Sequence, residues 1–413
     1  MATLEERKEL ATKKLEQYGQ THVLKYYDTL TEEEKDKLLT QIEQTDLSVT
    51  KYVHHREELP GRGEITPLKA LEISEIQKRE KEYHAIGLEQ IRAGKVAAVL
   101  LAGGMGTRLG SDNPKCMYDI GLTHPVYIMQ RLVENMMDVV HEAGRFFPFF
   151  IMTSDKNHDA TVSFMKEHSY FGYDPEMVFF FRQDMAPATD YEGKIYMENR
   201  FRMASSPNGN GGWFSSMNKA GLLDKLHKLG VEWLNCFAVD NVLQRIADPS
   251  FIGATITENC VSGAKVVRKA APDEKVGAMC LEDGKPSIVE YYEMTPELLS
   301  ARDDNGNPSY NFGVILNYLF REDKLEEIMN HKLMLHIVEK KIPYMDAEES
   351  FVKPESPNGY KFEELILDMV HEMESCLPYE VERSREFAPI KNKTGVDSVE
   401  SARKLCAENG IKL

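Results

Sequence analysis

The sequence predicts an α/β protein, a doubly wound and largely parallel sheet preceded by a helical N-terminal region. Three observations carry this. From about Lys95, short apolar runs alternate with amphipathic segments, which is strand and helix in turn. The first of those runs, 96–101, is continuously apolar, as a strand buried on both faces is, and it ends in a glycine-rich turn. Residues 1–92, in contrast, carry helix-start signals and helical spacing.

In that first region Thr3 with Glu6 and Thr31 with Glu34 fit capping boxes. Leu38 and Ile42 recur four apart, as a core-facing stripe does. His54 and His55 are adjacent, so on a helix they point apart and serve surface or structure rather than a metal. Pro60-Gly61-Arg62-Gly63 reads as a loop between helices. Strands are expected at 96–101, 149–153, 177–181 and 232–239, with helices at 127–141 and 160–168 between them. Shorter strands at 265–269, 276–282 and 287–291 are joined by turns such as Asp283-Gly284. Asp303–Asn307 is a solvated turn; the twelve-residue calcium pattern with its terminal Glu is absent. Amphipathic helices follow at 325–340 and 363–374, and the end, 393–413, is helix-like. This divides the chain into a helical region, 1–92, a catalytic domain, 93–385, and a short C-terminal segment, 386–413.

The totals bound the function. With 413 residues the chain can form two or three domains, and its 42% hydrophobic and 28% charged content is that of an ordinary globular protein. A net charge of −17 argues against nucleic acid or an anionic membrane as the main partner. The six cysteines show neither C-x-x-C nor zinc-like spacing, which points to reduced thiols and a cytoplasmic location. Residues 1–16 are charged and lack the apolar core of a signal peptide, and no apolar run approaches the ~20 residues that span a bilayer.

An acidic protein that binds a polyanion must concentrate cations locally. The stretch Leu101-Ala102-Gly103-Gly104-Met105-Gly106-Thr107-Arg108-Leu109-Gly110 packs four glycines into eight residues with an arginine among them, and Pro114-Lys115 adds a lysine just beyond. Glycines there let backbone N–H groups curl around an anion, and Arg108 and Lys115 add two full charges. Bare glycines would also serve a plain strand-to-helix turn; two cations in one short loop favour the polyphosphate. Neither G-x-x-x-x-G-K-[ST] nor a correctly spaced G-x-G-x-x-G is present, which disfavours an ATPase or a dinucleotide dehydrogenase. In open α/β sheets ligands bind beyond the carboxyl ends of the strands, and Gly103, Thr153-Ser154, Gln183 and Asp240 all fall at such ends.

Leu101 to Gly110 with Pro114-Lys115 resembles the signature of nucleotidyltransferases that join UTP to a sugar 1-phosphate. Gly106-Thr107-Arg108 is the variant most similar to eukaryotic UDP-N-acetylglucosamine pyrophosphorylases. Further motifs follow in that family's order: Gln183, Gly209-Asn210-Gly211-Gly212, Val239-Asp240-Asn241, Val289-Glu290-Tyr291, Pro357-Asn358-Gly359 and Pro389-Ile390-Lys391-Asn392, so that the resemblance runs from about Gly94 to the end. It implies a Rossmann-like, doubly wound mixed sheet of the nucleotide-diphospho-sugar transferase type. It also implies a Mg²⁺-dependent reaction of UTP with N-acetylglucosamine 1-phosphate, giving UDP-N-acetylglucosamine and pyrophosphate, and a monomer is expected. Two polyanions must meet, so the catalyst needs cations and positioning rather than a covalent nucleophile.

Within that resemblance, Arg108 clamps the departing β- and γ-phosphates, since its fork donates two bonds, and Lys115 sits at the α-phosphate as a point charge. Asp240 ends an apolar strand and is the Mg²⁺ ligand; capping of the following helix is its alternative, for which Asp248-Pro249 also stands ready. Leu101, Ala102, Gly103, Gly104 and the Gln183 amide form the uracil pocket. Gly209 and Asn210 reach the base and sugar, although on its own Asn208–Gly212 is equally a flexible loop. Glu290 and Tyr291 match the sugar-contacting pair, their alternative being an alternating strand with an edge tyrosine. Lys361 and Lys391 match lysines that approach the phosphates, an assignment carried by the resemblance alone. Four departures stand out. Met105 replaces a more frequent Gln, and Cys116 a glycine. Asn311-Phe312-Gly313-Val314 resembles a segment that ends in a sugar-holding Asn, and the C-terminal β-rich domain of the resembled enzymes does not follow. Val314 keeps a UDP-glucose or broad-specificity UDP-sugar pyrophosphorylase open, while Arg108 speaks against the UDP-glucose branch. An inactive UDP-sugar-binding module is the alternative of a different class.

Overall fold

Four parallel strands lie side by side in the order Trp233–Ala238, Val96–Leu101, Phe149–Thr153 and Val178–Arg182. The computed structural model describes residues 2–59, 61–331 and 333–413. The first three strands are buried at every position, their sequences apolar but for Asn235 and Thr153; Val178–Arg182, at the sheet edge, is only partly buried. Leu101 pairs with both Ala238 and Met152, so the strands end level with one another. Antiparallel Phe312–Arg321 beside Trp233–Ala238 makes the sheet mixed. Beyond it come Ser262–Arg268 and Ala278–Glu282, with Lys285–Val289, Cys376–Glu380 and Ile65–Pro67 completing ten strands. The turn at Asp283-Gly284 has φ of +50° and +80°, the two left-handed residues a tight hairpin demands.

This sheet belongs to the larger of two compact units, Arg62–Gln183, Trp213–His331 and Leu367–Leu413. Helix Ile128–Ala143 buries Ile128, Met129, Leu132, Val133, Met136, Val139 and Val140, one apolar face, in the core with the strands. Helices Ile73–Arg92 and Pro249–Thr257 meet backbone to backbone: a Cβ on Gly87 would fall 1.9 Å from the Pro249 carbonyl oxygen, and one on Gly253 1.8 Å from that of Tyr83. Glycine inside each helix is the condition of that approach.

The smaller unit comprises Met1–Gly61, Asp184–Gly212 and Lys332–Ile366. The division at Gly61 falls inside the stretch expected as one helical region over 1–92. Both capping boxes are present, on Leu4–Gln17 and Glu32–Gln44, and Leu15, Leu38 and Ile42 pack with Ile195, Met197 and Met203. An antiparallel sheet follows the order Leu335–Lys340, Gly359–Glu364, Met185–Thr189, Ser205–Pro207. His54 meets the Glu192 carbonyl oxygen at 3.0 Å. Pro60 lies outside the described residues.

The strands expected between 96 and 291 and the helices expected at 127–141 and 160–168 begin and end within three residues of expectation; strand Phe312–Arg321 and helix Pro249–Thr257 are not among the expected elements, and two expected helices are altered. The helix expected over 325–340 is helix Glu322–Ile328, and 335–340 is a strand. The one expected over 363–374 is shortened to Ile366–Glu372, because strand Gly359–Glu364 takes its start. The two errors have one cause: Leu335–Lys340 and Gly359–Glu364 pair over their whole length, and the β-branched Ile337 and Val338 suit that ladder. The helix-like end contains helix Val399–Glu408, capped by Ser398. Asp303 accepts the N–H groups of Asn305 and Asn307, a closed polar turn. No helix among the described residues is long and apolar enough to cross a membrane.

Candidate active site

The glycine-rich loop begins where the 96–101 strand leaves the sheet, with Ala102 N–H still donating to Met152. It then closes on itself: Gly106 N–H donates to the Asn113 carbonyl at 2.8 Å, Ser111 N–H to Gly106 at 3.1 Å and Lys115 N–H to Gly104 at 3.1 Å. Gly110, at φ +74°, makes the left-handed turn. The N–H groups of Gly103, Gly104 and Met105 have no acceptor among the described residues. A Cβ on Gly104 would meet nothing, whereas one on Gly103 would lie 2.8 Å from Oε1 of Gln183. Gly103 and the buried Gln183, whose N–H donates to the Thr153 carbonyl, therefore face each other across the end of strand Phe149–Thr153, which lies between their own strands.

Asn157 was not legible as part of this site. It occupies the N-cap position of helix His158–Glu167 without capping it. Instead its fully buried side chain donates to the carbonyls of Ala102 at 2.8 Å and Gly104 at 3.3 Å and accepts from Ser154 N–H at 2.7 Å. One amide thus staples the loop to the neighbouring strand end. Cys116 is buried below the loop, its thiol 3.9 Å from the Thr161 hydroxyl, and burial pushes that thiol up to about 12. The residue replacing a glycine there is a core anchor.

The cations converge. Lys115, its side chain 16% exposed, places Nζ 3.6 Å from Oδ2 of Asp240. Burial holds its ammonium below the ordinary lysine value; Asp240 opposes this, and Lys391 and Arg108 add to it by repulsion. Arg108, Lys115, Asp240 and Lys391 therefore share one electrostatic neighbourhood. Arg108 is exposed and makes no ion pair among the described residues. Lys391 is held by Asp397, at 3.0 Å through Nζ and 2.7 Å through its N–H.

Asp240 stands two residues past the 233–238 strand. It caps no helix, because Asp248 caps Pro249–Thr257 by accepting the Ser250 N–H. Its carbonyl accepts Ile390 N–H, and buried Asn241 beside it donates to the Glu386 carbonyl and accepts the Ala388 N–H. Asn241 is thus a clip that brings 386–391, with Lys391, to the strand end. The Asp240 carboxylate, a quarter exposed, fits Mg²⁺, which takes one or two protein carboxylates and draws its other ligands from phosphates and water. His227, Glu322 and Glu326 also bring donor atoms within 4.8 Å, but at the opposite end of the same strand, where Glu322 N–H meets the Glu232 carbonyl.

Glu290 and Tyr291 follow strand Lys285–Val289. Val289 pairs with Ala278, Ala278 with Gly313, and Asn317 with Phe237. These registers bring Glu290, Gly277 and Val314 to the carboxyl-end level of the parallel strands. A Cβ on Gly277 would lie 3.5 Å from both Oε1 of Glu290 and Cγ2 of Val314. Tyr291 is 44% exposed, its ring edge-on to Tyr292 at 5.3 Å.

Gly209, Asn210 and Lys361 belong to the smaller unit. The 208–212 loop is fastened there: Gly211 N–H donates to Glu364, Glu364 N–H to Asn208, and Ile366 N–H to Oδ1 of Asn210. Gly209 lies against the Glu364 backbone, which its missing Cβ would strike at 2.1 Å. Lys361 sits in strand Gly359–Glu364, opposite Val338 and Ala188.

A family model described as UTP–glucose-1-phosphate uridylyltransferase matches residues 37–409. The chain is 35% identical over 408 residues to a UDP-N-acetylhexosamine pyrophosphorylase-like protein 1 of Mus musculus, covering 93% of this chain and 80% of that one. It is 34% identical over 414 residues to the UDP-N-acetylglucosamine pyrophosphorylase of Saccharomyces cerevisiae, covering 93% and 86%. Among solved structures, the uridine diphosphate N-acetylglucosamine pyrophosphorylase of Trypanosoma brucei, in complex with an inhibitor, superposes with a TM-score of 0.83 at 27% identity, over 97% of this chain and 84% of that one.

Proposed function

The chain belongs to the UTP–glucose-1-phosphate uridylyltransferase family, and from that premise we propose that it joins UTP to N-acetylglucosamine 1-phosphate, forming UDP-N-acetylglucosamine and pyrophosphate. A phosphate oxygen of the sugar 1-phosphate attacks the α-phosphorus of UTP; the new P–O bond forms as the bond to the β-phosphate oxygen breaks, and the electron pair leaves with pyrophosphate. The observation that carries this is the Lys115 ammonium, 3.6 Å from Asp240 and within electrostatic reach of Arg108 and Lys391, at the lip of the parallel strands.

Lys115 follows the charge that develops at the α-phosphate, and Arg108 grips the departing phosphates. The open N–H groups of Gly103 and Gly104 and the Gln183 amide, with backbone from Leu101 and Ala102, receive the uracil. Asp240 would hold Mg²⁺, which when bound screens the phosphates and polarises their oxygens. Glu290 accepts bonds from sugar hydroxyls and Tyr291 packs on the sugar. Gly209 and Asn210 supply base and sugar contacts, and Lys361 and Lys391 approach the phosphates. A cytoplasmic monomer completes the reading: all six cysteines are free thiols and five are buried, which suits a reducing compartment.

The test follows pyrophosphate release from UTP, Mg²⁺ and each of several sugar 1-phosphates. N-acetylglucosamine 1-phosphate is expected to react fastest, and absence of product with every hexosamine phosphate overturns the reading. Val314 favours one other outcome, broad acceptance of sugars, because an apolar side chain next to Glu290 provides no donor for an acetamide; comparing kcat/KM for glucose 1-phosphate and N-acetylglucosamine 1-phosphate decides it. Nucleotide binding without any turnover would instead identify an inactive UDP-sugar-binding module, against which Arg108, Lys115 and Asp240 stand together.

A further inference from the structure

Arg62 lies in the stretch whose sequence suggests only a loop, and all five of its N–H donors are spent on one hairpin and its exit loop. Nη1 donates to Glu282 at 2.7 Å and to the Ser287 hydroxyl at 3.2 Å; Nη2 donates to the Ile288 carbonyl at 2.8 Å and to Oε2 of Glu293 at 2.7 Å; Nε reaches Oε1 of Glu293 at 3.2 Å. The next residue, Gly63, donates its N–H to Glu282 at 2.8 Å, and a Cβ there would lie 2.0 Å from Oδ2 of Asp283. The chain is thus laid against the hairpin turn by a glycine and locked by the arginine.

The loop held in this way carries Glu290 and Tyr291. Oε2 of Glu293, gripped by Arg62, also accepts the N–H of Glu290 at 2.9 Å, and Glu293 N–H returns a bond of 2.9 Å to the Glu290 carbonyl. Arg62 therefore fixes Ile288 two residues before Glu290 and Glu293 three residues after it. We propose that Arg62 is a positioning residue for the acceptor sugar: through Glu293 and Ile288 it sets where the Glu290 carboxylate and the Tyr291 ring stand. This rests on the reading of Glu290 and Tyr291 as the sugar-contacting pair. A lysine, with three donors on one nitrogen and no planar fork, cannot reproduce these five bonds.

The experiment compares Arg62→Lys, Glu293→Gln and Glu290→Gln with the parent enzyme, measuring KM for the sugar 1-phosphate and for UTP separately, with kcat and the thermal midpoint. Arg62→Lys is expected to raise the sugar-phosphate KM about tenfold while the UTP KM stays within about twofold, since a small misplacement of a binding group is felt only by the ligand it touches. Equal rises for both substrates, or no rise for either, overturn the proposal. If Arg62→Lys melts much earlier than the parent, Glu293→Gln carries the test: it removes the charge Arg62 holds yet keeps an oxygen for the Glu290 N–H, and the same split is expected. Glu290→Gln separates the two levels. No effect on the sugar KM there sinks the assignment of Glu290, whereas a rise there with none in Arg62→Lys sinks the positioning role alone.

Discussion

The loop at Gly103–Lys115 and the loop at Glu290–Glu293 both stand at the carboxyl-end level of the parallel strands, yet they are held by opposite means. The first is closed by its own backbone, with bonds among Gly104, Gly106, Ser111, Asn113 and Lys115, and its arginine is left without an ion pair among the described residues. The second is held by an arginine 231 positions away from Glu293 in the chain, with every donor engaged. The difference teaches how to read a cation in this molecule. On the proposed function, a cation that acts on an incoming polyanion is left uncommitted, because a partner carboxylate would have to be displaced first. One that builds shape is saturated, because any donor left over would cost desolvation for nothing. Lys265 is the extreme of the second kind, fully buried with Nζ 2.8 Å from Asp248 and 2.6 Å from Glu386.

The sharpest way to break this comparison is Arg108→Ala. If the uncommitted arginine acts on developing charge, turnover falls by about 10³-fold, while binding of UDP-sugar changes only a few-fold. Rapid-quench turnover beside equilibrium binding reads both. Equal losses would make Arg108 a binding group and erase its distinction from Arg62.

Lys265→Met probes the saturated kind. It leaves Asp248 and Glu386 buried close to each other, with only Arg245 among the described residues, 3.8 Å from Asp248, to offset their charge, and is expected to lower unfolding free energy by about 3–5 kcal/mol. Denaturant melts measure it, and Glu386→Gln added to Lys265→Met should recover part of the loss. Loss of turnover without loss of stability would show that Lys265 is not a shape-building cation.

Asn157→Ala sharpens the contrast from the nucleotide side. It strips the Ala102 carbonyl and the Ser154 N–H of their partner and takes one of two donors from the Gly104 carbonyl, a cost of about 1–3 kcal/mol. If the loop meets UTP as proposed, its loosening should raise the KM for UTP about tenfold with the sugar-phosphate KM unchanged, the mirror image of Arg62→Lys. A rise confined to the sugar substrate would reverse the assignment of the two loops.

The same contrast explains what the sequence discloses. Strand Val96–Leu101 is wholly apolar and Phe149–Thr153 is apolar up to its last residue, because a strand covered on both faces has little room for polar residues. That Gly103, Lys115 and Asp240 come together at one end of the sheet was legible because loop and strand end are local features and a parallel sheet aligns its carboxyl ends. The roles of Asn157 and Arg62 were not, since each reaches backbone 53 to 226 positions away and nothing in their own neighbourhoods marks the partner. The smaller unit misled for a similar reason: Leu335–Lys340 has residues a helix tolerates, and only its ladder with Gly359–Glu364 makes it a strand.

The finest test uses Lys115, which lies between the two kinds: near a carboxylate, yet not saturated by it. Burial holds its ammonium below the ordinary lysine value of 10.5, and Lys391 and Arg108 press in the same direction against the pull of Asp240. A lysine with a depressed pKa loses its charge at lower pH than usual, so in the free enzyme kcat/KM for UTP should decline on the alkaline side before an ordinary lysine would titrate. Bound triphosphate puts negative charge beside the ammonium and restores its pKa, so the decline in kcat should fall at higher pH than that in kcat/KM. The neighbours give the sign twice more. Lys391→Gln removes a repelling charge and should move the free-enzyme limb upward in pH, whereas Asp240→Asn removes the attraction and should move it downward, each on whatever activity remains. Limbs that coincide for kcat and kcat/KM, or that move the other way in these variants, would mean that the ammonium facing Asp240 is another fixed cation of the scaffold and does not meet the nucleotide.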